Sequence, residues 1–82
     1  MEQIVRSPKQ LGAALRRHRR ASGLSQTGLG SKAGLRQATI SGLETGEPGT
    51  RLRTAFDVLA VLGLELVVRR RTRSPTDVED LF

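Results

Sequence analysis

The residues best equipped for chemistry lie between positions 36 and 41, Arg-Gln-Ala-Thr-Ile-Ser. Apart from Ile40 they are short, hydroxylated or amide-bearing, and only Arg36 carries a charge. A solvated helix face is more commonly rich in Glu and Lys. This set suits base edges in a DNA major groove. A Gln amide donates and accepts at once and pairs bidentately with adenine, an Ala methyl packs on the thymine methyl, and Ser or Thr reaches base edge or phosphate. Catalysis has no comparable set. The chain holds no Cys and a single His, which leaves no Cys nucleophile, no disulfide framework and no Cys- or His-built metal site. The glycines of "GLG" and "ETGEPG" are spaced as turn signals, not as a phosphate loop. The expectation is a non-enzyme with no cofactor and no metal.

Such a face must be held out by other elements. In "SPKQ", Ser7 is the N-cap, Pro8 the first helical residue and Gln10 the third, a capping box. Leu11, Ala14, Leu15 and His18 then recur at helical spacing until Gly23. His18 shares the register of Leu11 and Leu15 and reads as a packing residue. The run Arg16–Arg20 points in several directions and reads as mostly solvated. A second helix opens at Ser25, turns Leu29 and Ala33 inward and stops at Gly34; Gly28 and Gly30 weaken it by roughly 1 kcal/mol each relative to Ala. The stretch Leu35–Gly46 is a third helix with the sparse apolar stripe Leu35, Ile40 and Leu43. A fourth, capped by Thr50, turns Leu52, Ala55, Phe56, Leu59 and Leu62 inward until Gly63.

Beyond Gly63 the period changes. Leu64, Leu66 and Val68 alternate, with Val67 between the last two, and the stretch reads as a strand. A lone strand leaves its backbone groups unpaired. The expected partner is the same strand of a second copy across a two-fold axis, giving a homodimer; the alternative is that helix four continues through Leu66. The sequence thus divides into a body, residues 1–71, and an acidic tail, residues 72–82, ending in Leu81 and Phe82. The tail's composition indicates flexibility, with an apolar end that could serve as a hook for a partner.

Two short helices joined at a glycine suggest a helix-turn-helix over residues 26–45. Gly30 falls at the crossing, Gly34 at the turn, and Leu29, Leu35, Ile40 and Leu43 point inward. Gln26 opens the second helix, where backbone N–H groups and the positive dipole end favour phosphate. Arg36 and Lys32, with Arg51 or Arg53, would flank the DNA backbone. Charge agrees. The net +6 divides into +8 on residues 1–71 and −2 on residues 72–82, the footprint of a polyanion binder. Two Phe and no Tyr or Trp argue against a stacking platform for single strands. No membrane-length apolar run and no signal-peptide core are present, so a cytoplasmic protein is expected, with no membrane partner.

The stretch "GLSQTGLGSKAGLRQATISGLETG" resembles the helix-turn-helix of the Cro/repressor (XRE) family, with its "LSQ", turn Gly, "TIS" and "E-x-G" in order. "SPKQL", "QATIS", "LELVV" and the apolar C-terminus narrow the resemblance to the HipB-like antitoxins, over about Ser7 to Val68. It implies an all-α, four-helix domain with one C-terminal strand pairing across a homodimer. It further implies a repressor that binds an inverted-repeat operator in double-stranded DNA, autoregulates its operon at the bacterial nucleoid and restrains a HipA-like serine/threonine kinase toxin. Carried over by position, it implies base or phosphate contacts for Arg36, Gln37, Ala38 and Ser41, with Thr39 and Lys32 beside them, and a phosphate contact for Gln26. It also implies a structural ion pair between Arg19 and Glu44, dimer-strand roles for Leu64, Leu66, Val67 and Val68, and toxin contact by Leu81 and Phe82. Gly28, Gly30 and His18 depart from the family pattern and suggest modest monomer stability. Two other readings remain open: a stand-alone repressor of prophage type, whose tail would be dispensable, and a nucleic-acid binder or protein-interaction module indifferent to sequence.

Overall fold

A computed structural model describes residues 2–71 of the chain. Four helices follow in order: α1 (Pro8–Ala21), α2 (Gln26–Ala33), α3 (Gln37–Thr45) and α4 (Leu52–Val61). The α1 start forms as its sequence dictates: the Ser7 hydroxyl accepts from the Gln10 N–H at 3.1 Å with Pro8 at the first helical position. The reciprocal bond differs from the expected capping box. The Gln10 carbonyl oxygen accepts from the Arg6 N–H at 2.6 Å, one residue before the cap, and so ties down the incoming chain. Ser25 caps α2 through the Gly28 N–H at 2.9 Å. Gly34 closes α2 at φ 71°, a left-handed conformation that spares glycine the Cβ penalty and turns the chain into α3.

The core lies where α3 packs on α1 and α2, and α2 on α4. Leu15, Leu29, Ile40 and Val58 are fully buried, with Ala14, Leu43, Ala55 and Leu59 around them. Each large side chain contributes roughly 1.5–3 kcal/mol by leaving water. Close approach of α1 to α3 requires Gly12, where a Cβ would strike the Leu43 carbonyl and come within 2.5 Å of the Glu44 carbonyl oxygen. Gly30 serves the α2–α3 turn in the same way, its would-be Cβ 2.5 Å from the Leu35 carbonyl oxygen.

Three expectations require correction. The helix α3 begins at Gln37, with Arg36 in the N-cap position and Leu35 half-buried in the turn. Thr50 does not cap α4; Arg51 occupies that position and no side chain caps the helix, while the Thr50 N–H closes the preceding turn on the Glu47 carbonyl. The inner face of α4 is rotated: Val58 is buried while Leu52 and Phe56 are 69% and 45% exposed. Ala55, Val58, Leu59 and Leu62 are spaced i, i+3, i+4 and i+7, and that stripe packs into the core; Leu52 and Phe56 form a second apolar edge beside it.

The helix α4 stops at Val61, which excludes continuation through Leu66; Gly63 is left-handed, and the Leu64 N–H closes the end on the Leu59 carbonyl at 2.8 Å. Residues 64–71 form no strand, and none is present among the described residues. In a single chain the expected strand has no ladder partner, and Leu66, Val67 and Val68 are exposed at 54%, 65% and 91%. Leu64 is half-buried against the core. This segment runs beside residues 2–5, with Arg69 and Glu2 in a surface ion pair at 3.4 Å, and the two enclose a groove with Leu11, Leu15 and His18 along it. The tail, with Leu81 and Phe82, lies outside the described residues.

Candidate nucleic-acid interface

The site is built on a buried ion pair. Arg19 near the end of α1 and Glu44 near the end of α3 meet in bidentate fashion, Nε to Oε2 at 2.6 Å and Nη2 to Oε1 at 3.0 Å. Both side chains are nearly inaccessible to water. A third Arg19 donor, Nη1, reaches the Leu24 carbonyl at 2.8 Å and fixes the loop between α1 and α2. Burial alone would raise the Glu44 carboxyl; the hydrogen bonds from Arg19 and Gln26 outweigh it and hold the group below the usual glutamate value. The hydrogen bond to Glu44 likewise raises Arg19 above its ordinary value. The pair is therefore fully ionised at neutral pH.

From Glu44 a line of side chains runs outward. Gln26 Nε2 donates to Glu44 Oε1 at 3.1 Å, and Gln37 Nε2 donates to Gln26 Oε1 at 2.6 Å. Its polarity follows from charge. An ionised carboxylate only accepts, so Gln26 must turn its NH2 toward Glu44 and its oxygen toward Gln37. Gln37 must then turn its own NH2 toward Gln26. One N–H and the carbonyl oxygen of Gln37 remain pointing away, an adjacent donor and acceptor on an exposed side chain at the first residue of α3. That is the complement of an adenine edge.

The other expected residues distribute around this point. With 100° per residue, the buried Ile40 and Leu43 set the inner face of α3, and Ala38, Ser41 and Thr45 fall on the outer one. Ala38 is exposed and Ser41 half-buried. Thr39 is half-buried and lies about half a turn from Gln37. Arg36 is exposed at the start of α3, and Lys32 is exposed in the last turn of α2. Gln26 opens α2 beside the Ser25 cap, where the helix end favours an anion. Thr45, exposed on the outer face, was not singled out in the sequence; its i+4 spacing from Ser41 was the available signal.

A short third helix lying across the second, its N-terminal amide presented by a ladder rooted in the core, is matched by the model of the helix-turn-helix domain over residues 10–72. The chain belongs to that family. Its branch is that of the HipB-like antitoxins. Antitoxin HipB of Escherichia coli strain K12 is 36% identical over 78 residues, 94% of this chain and 89% of the relative. Antitoxin HipB of E. coli O6:H1 is 38% identical over 66 residues, 80% and 70% of the two chains. Among solved structures, a HipB–O4 20-mer complex and a HipA–HipB–O2–O3 complex each superpose with a TM-score of 0.80 at 35% identity, covering 87% of this chain and all of the other. This HipB-like chain is a regulator and not an enzyme.

Proposed function

We propose that this protein is a sequence-specific DNA-binding repressor that autoregulates its operon and serves as the antitoxin of a HipA-like serine/threonine kinase. The observation that carries the DNA reading is the line Arg19–Glu44–Gln26–Gln37, which presents one donor and one acceptor of Gln37 outward. Gln37 reads an adenine, Ala38 packs against a neighbouring thymine methyl, and Ser41 and Thr39 lie along the same groove. Gln26, Lys32 and Arg36 hold the flanking phosphates. The relatives solved as HipB complexes with 20-mers, and with HipA, support the same pair of partners.

The protein works as a homodimer in the cytoplasm, at the nucleoid. Leu64, Leu66, Val67 and Val68 pair with the same residues of a second copy, which supplies the missing ladder and covers the exposed side chains. Two reading helices then meet half-sites of an inverted repeat about one helical turn apart or a multiple of it. Among the described residues no helix is long and apolar enough to cross a membrane. Residues 1–71 form the DNA-binding and dimerisation unit, and residues 72–82 offer Leu81 and Phe82 to the kinase.

Binding-site selection from a random duplex pool, run with wild type and Gln37→Ala, tests the DNA reading. The substitution should abolish preference at one base position per half-site, a loss of roughly 1–3 kcal/mol there; unaltered preference at every position overturns it. Pull-down from the native host, with and without residues 73–82, tests the partnership. A kinase that co-purifies and is weakened by truncation supports it. Recovery of DNA alone, unchanged by truncation, leaves a stand-alone repressor.

A further inference from the structure

Part of the arginine run of α1 gathers on one face once the helix is formed, while Arg19 turns into the core. At 100° per residue, Lys9, Ala13, Arg16 and Arg20 fall within about 60° of one another, and all four are exposed. Together with Arg17 they line an open groove whose other wall is the end of α3, Glu44 and Thr45. Thr45 belongs to the outer face of α3 that also carries Ala38 and Ser41, so the basic stripe borders the reading helix at its C-terminal end. The opposite side of α1, with Leu11, Leu15 and His18, faces the groove beside residues 2–5 instead.

The acid in this groove gives its hydrogen bonds to other partners and meets Arg16 only through the field between their charges. Glu44 gives one oxygen to Arg19 Nε and shares the other between Arg19 and Gln26. Among the described residues Lys9, Arg16 and Arg20 form no ion pair. Ala13, between Lys9 and Arg16, keeps the floor low enough for a backbone to approach. From Lys9 to Arg20 the helix rises about 16 Å, and from Arg16 to Arg20 about 6 Å. The shorter span covers about two phosphates of one strand at 3.4 Å each along the duplex axis.

We infer that Lys9, Arg16 and Arg20 form a second DNA contact, a phosphate clamp on α1 that grips the backbone beside the groove entered by α3. The clamp rests on the proposed DNA reading and extends it. It adds affinity and salt dependence without adding sequence information, because phosphates are alike at every base pair. Arg16 and Arg20 supply the strongest part, one turn apart and next to Thr45.

The test uses the full-length protein and a 40-base-pair duplex carrying the sequence that wild type selects from a random pool. Affinity is measured from low to high salt for wild type, Arg16→Gln/Arg20→Gln, Arg16→Lys/Arg20→Lys and Gln37→Ala. Loss of two phosphate contacts per protomer should reduce the slope of log affinity against log salt by about 1.8 per protomer. The Gln pair should weaken selected and scrambled duplexes by the same factor, and the Lys pair should retain the wild-type slope. Both arginines are exposed, so unchanged thermal melting is expected and separates a lost contact from a lost fold. A wild-type slope in the Gln pair, with base preference still lost in Gln37→Ala, overturns the clamp alone. Base preference that ignores Gln37→Ala overturns the reading of α3 and the clamp with it.

Discussion

At the scale of single residues, Glu44 is where stability and recognition meet. Its carboxylate keeps Arg19 paired in the core and sets the direction of both glutamine amides. Glu44→Gln would leave the Arg19 guanidinium buried without a counter-charge, at a cost of about 3–5 kcal/mol. The pH dependence has a definite sign. The folded carboxyl titrates below its unfolded value of about 4.3, so the pair's contribution is complete above that value and fades as pH falls through the folded one. Denaturant melts between pH 7 and pH 3 should show wild type losing stability in the acid range. The Gln variant, already destabilised, should lack that part of the loss; an equally steep acid loss in both would remove Glu44 from the account. Arg19 and Glu44 stand 25 residues apart, and in the sequence only the family resemblance pairs them. Spacing alone does not: neither residue differs in type from a solvated one until α1 and α3 are packed.

At the scale of elements, what was legible followed local rules. Ser7, Pro8, Ser25 and Gly34 act on neighbours within a turn, and α1 and α2 start or stop where those residues place them. The register of α4 was not legible, because Leu52, Ala55, Phe56, Val58, Leu59 and Leu62 offer two apolar edges and only packing into the core selects one. The basic stripe on α1 was not legible for the converse reason: a consecutive run of arginines hides the i, i+4, i+7 and i+11 series of Lys9, Ala13, Arg16 and Arg20 that a formed helix displays. Gly12 was not legible either, since a close crossing is a property of two helices. It supplies the element-scale prediction. Gly12→Ala gains helix propensity of about 1 kcal/mol, yet its Cβ meets two α3 backbone carbonyls that cannot swing aside. Net destabilisation in thermal melts is the expected outcome, with Glu44 pulled off its line and DNA affinity falling in parallel. A stabilised Gly12→Ala protein would mean that α1 and α3 cross elsewhere.

For the whole molecule, the exposed apolar residues are the proposed seat of a second copy. Leu66, Val67 and Val68 alternate along an unpaired backbone next to Ile4 and Val5, which are also exposed. Placing a charge at the centre of the proposed ribbon, as in Val67→Lys, should shift sedimentation from dimer to monomer and weaken binding to a two-half-site duplex far more than to a single half-site. A dimer that survives Val67→Lys and Leu66→Lys would locate the interface elsewhere, the Leu52–Phe56 edge of α4 being the other exposed apolar stripe. The buried pair between α1 and α3 has a further consequence. Because Arg19 also holds the α1–α2 loop and Glu44 also holds Gln26, any opening of one of the first three helices removes bonds from the other two. Those helices should therefore exchange their amide hydrogens as one cooperative unit. A unit so coupled passes between wholly competent and wholly unfolded, and a form that reads DNA with one of these three helices melted has no place on that path.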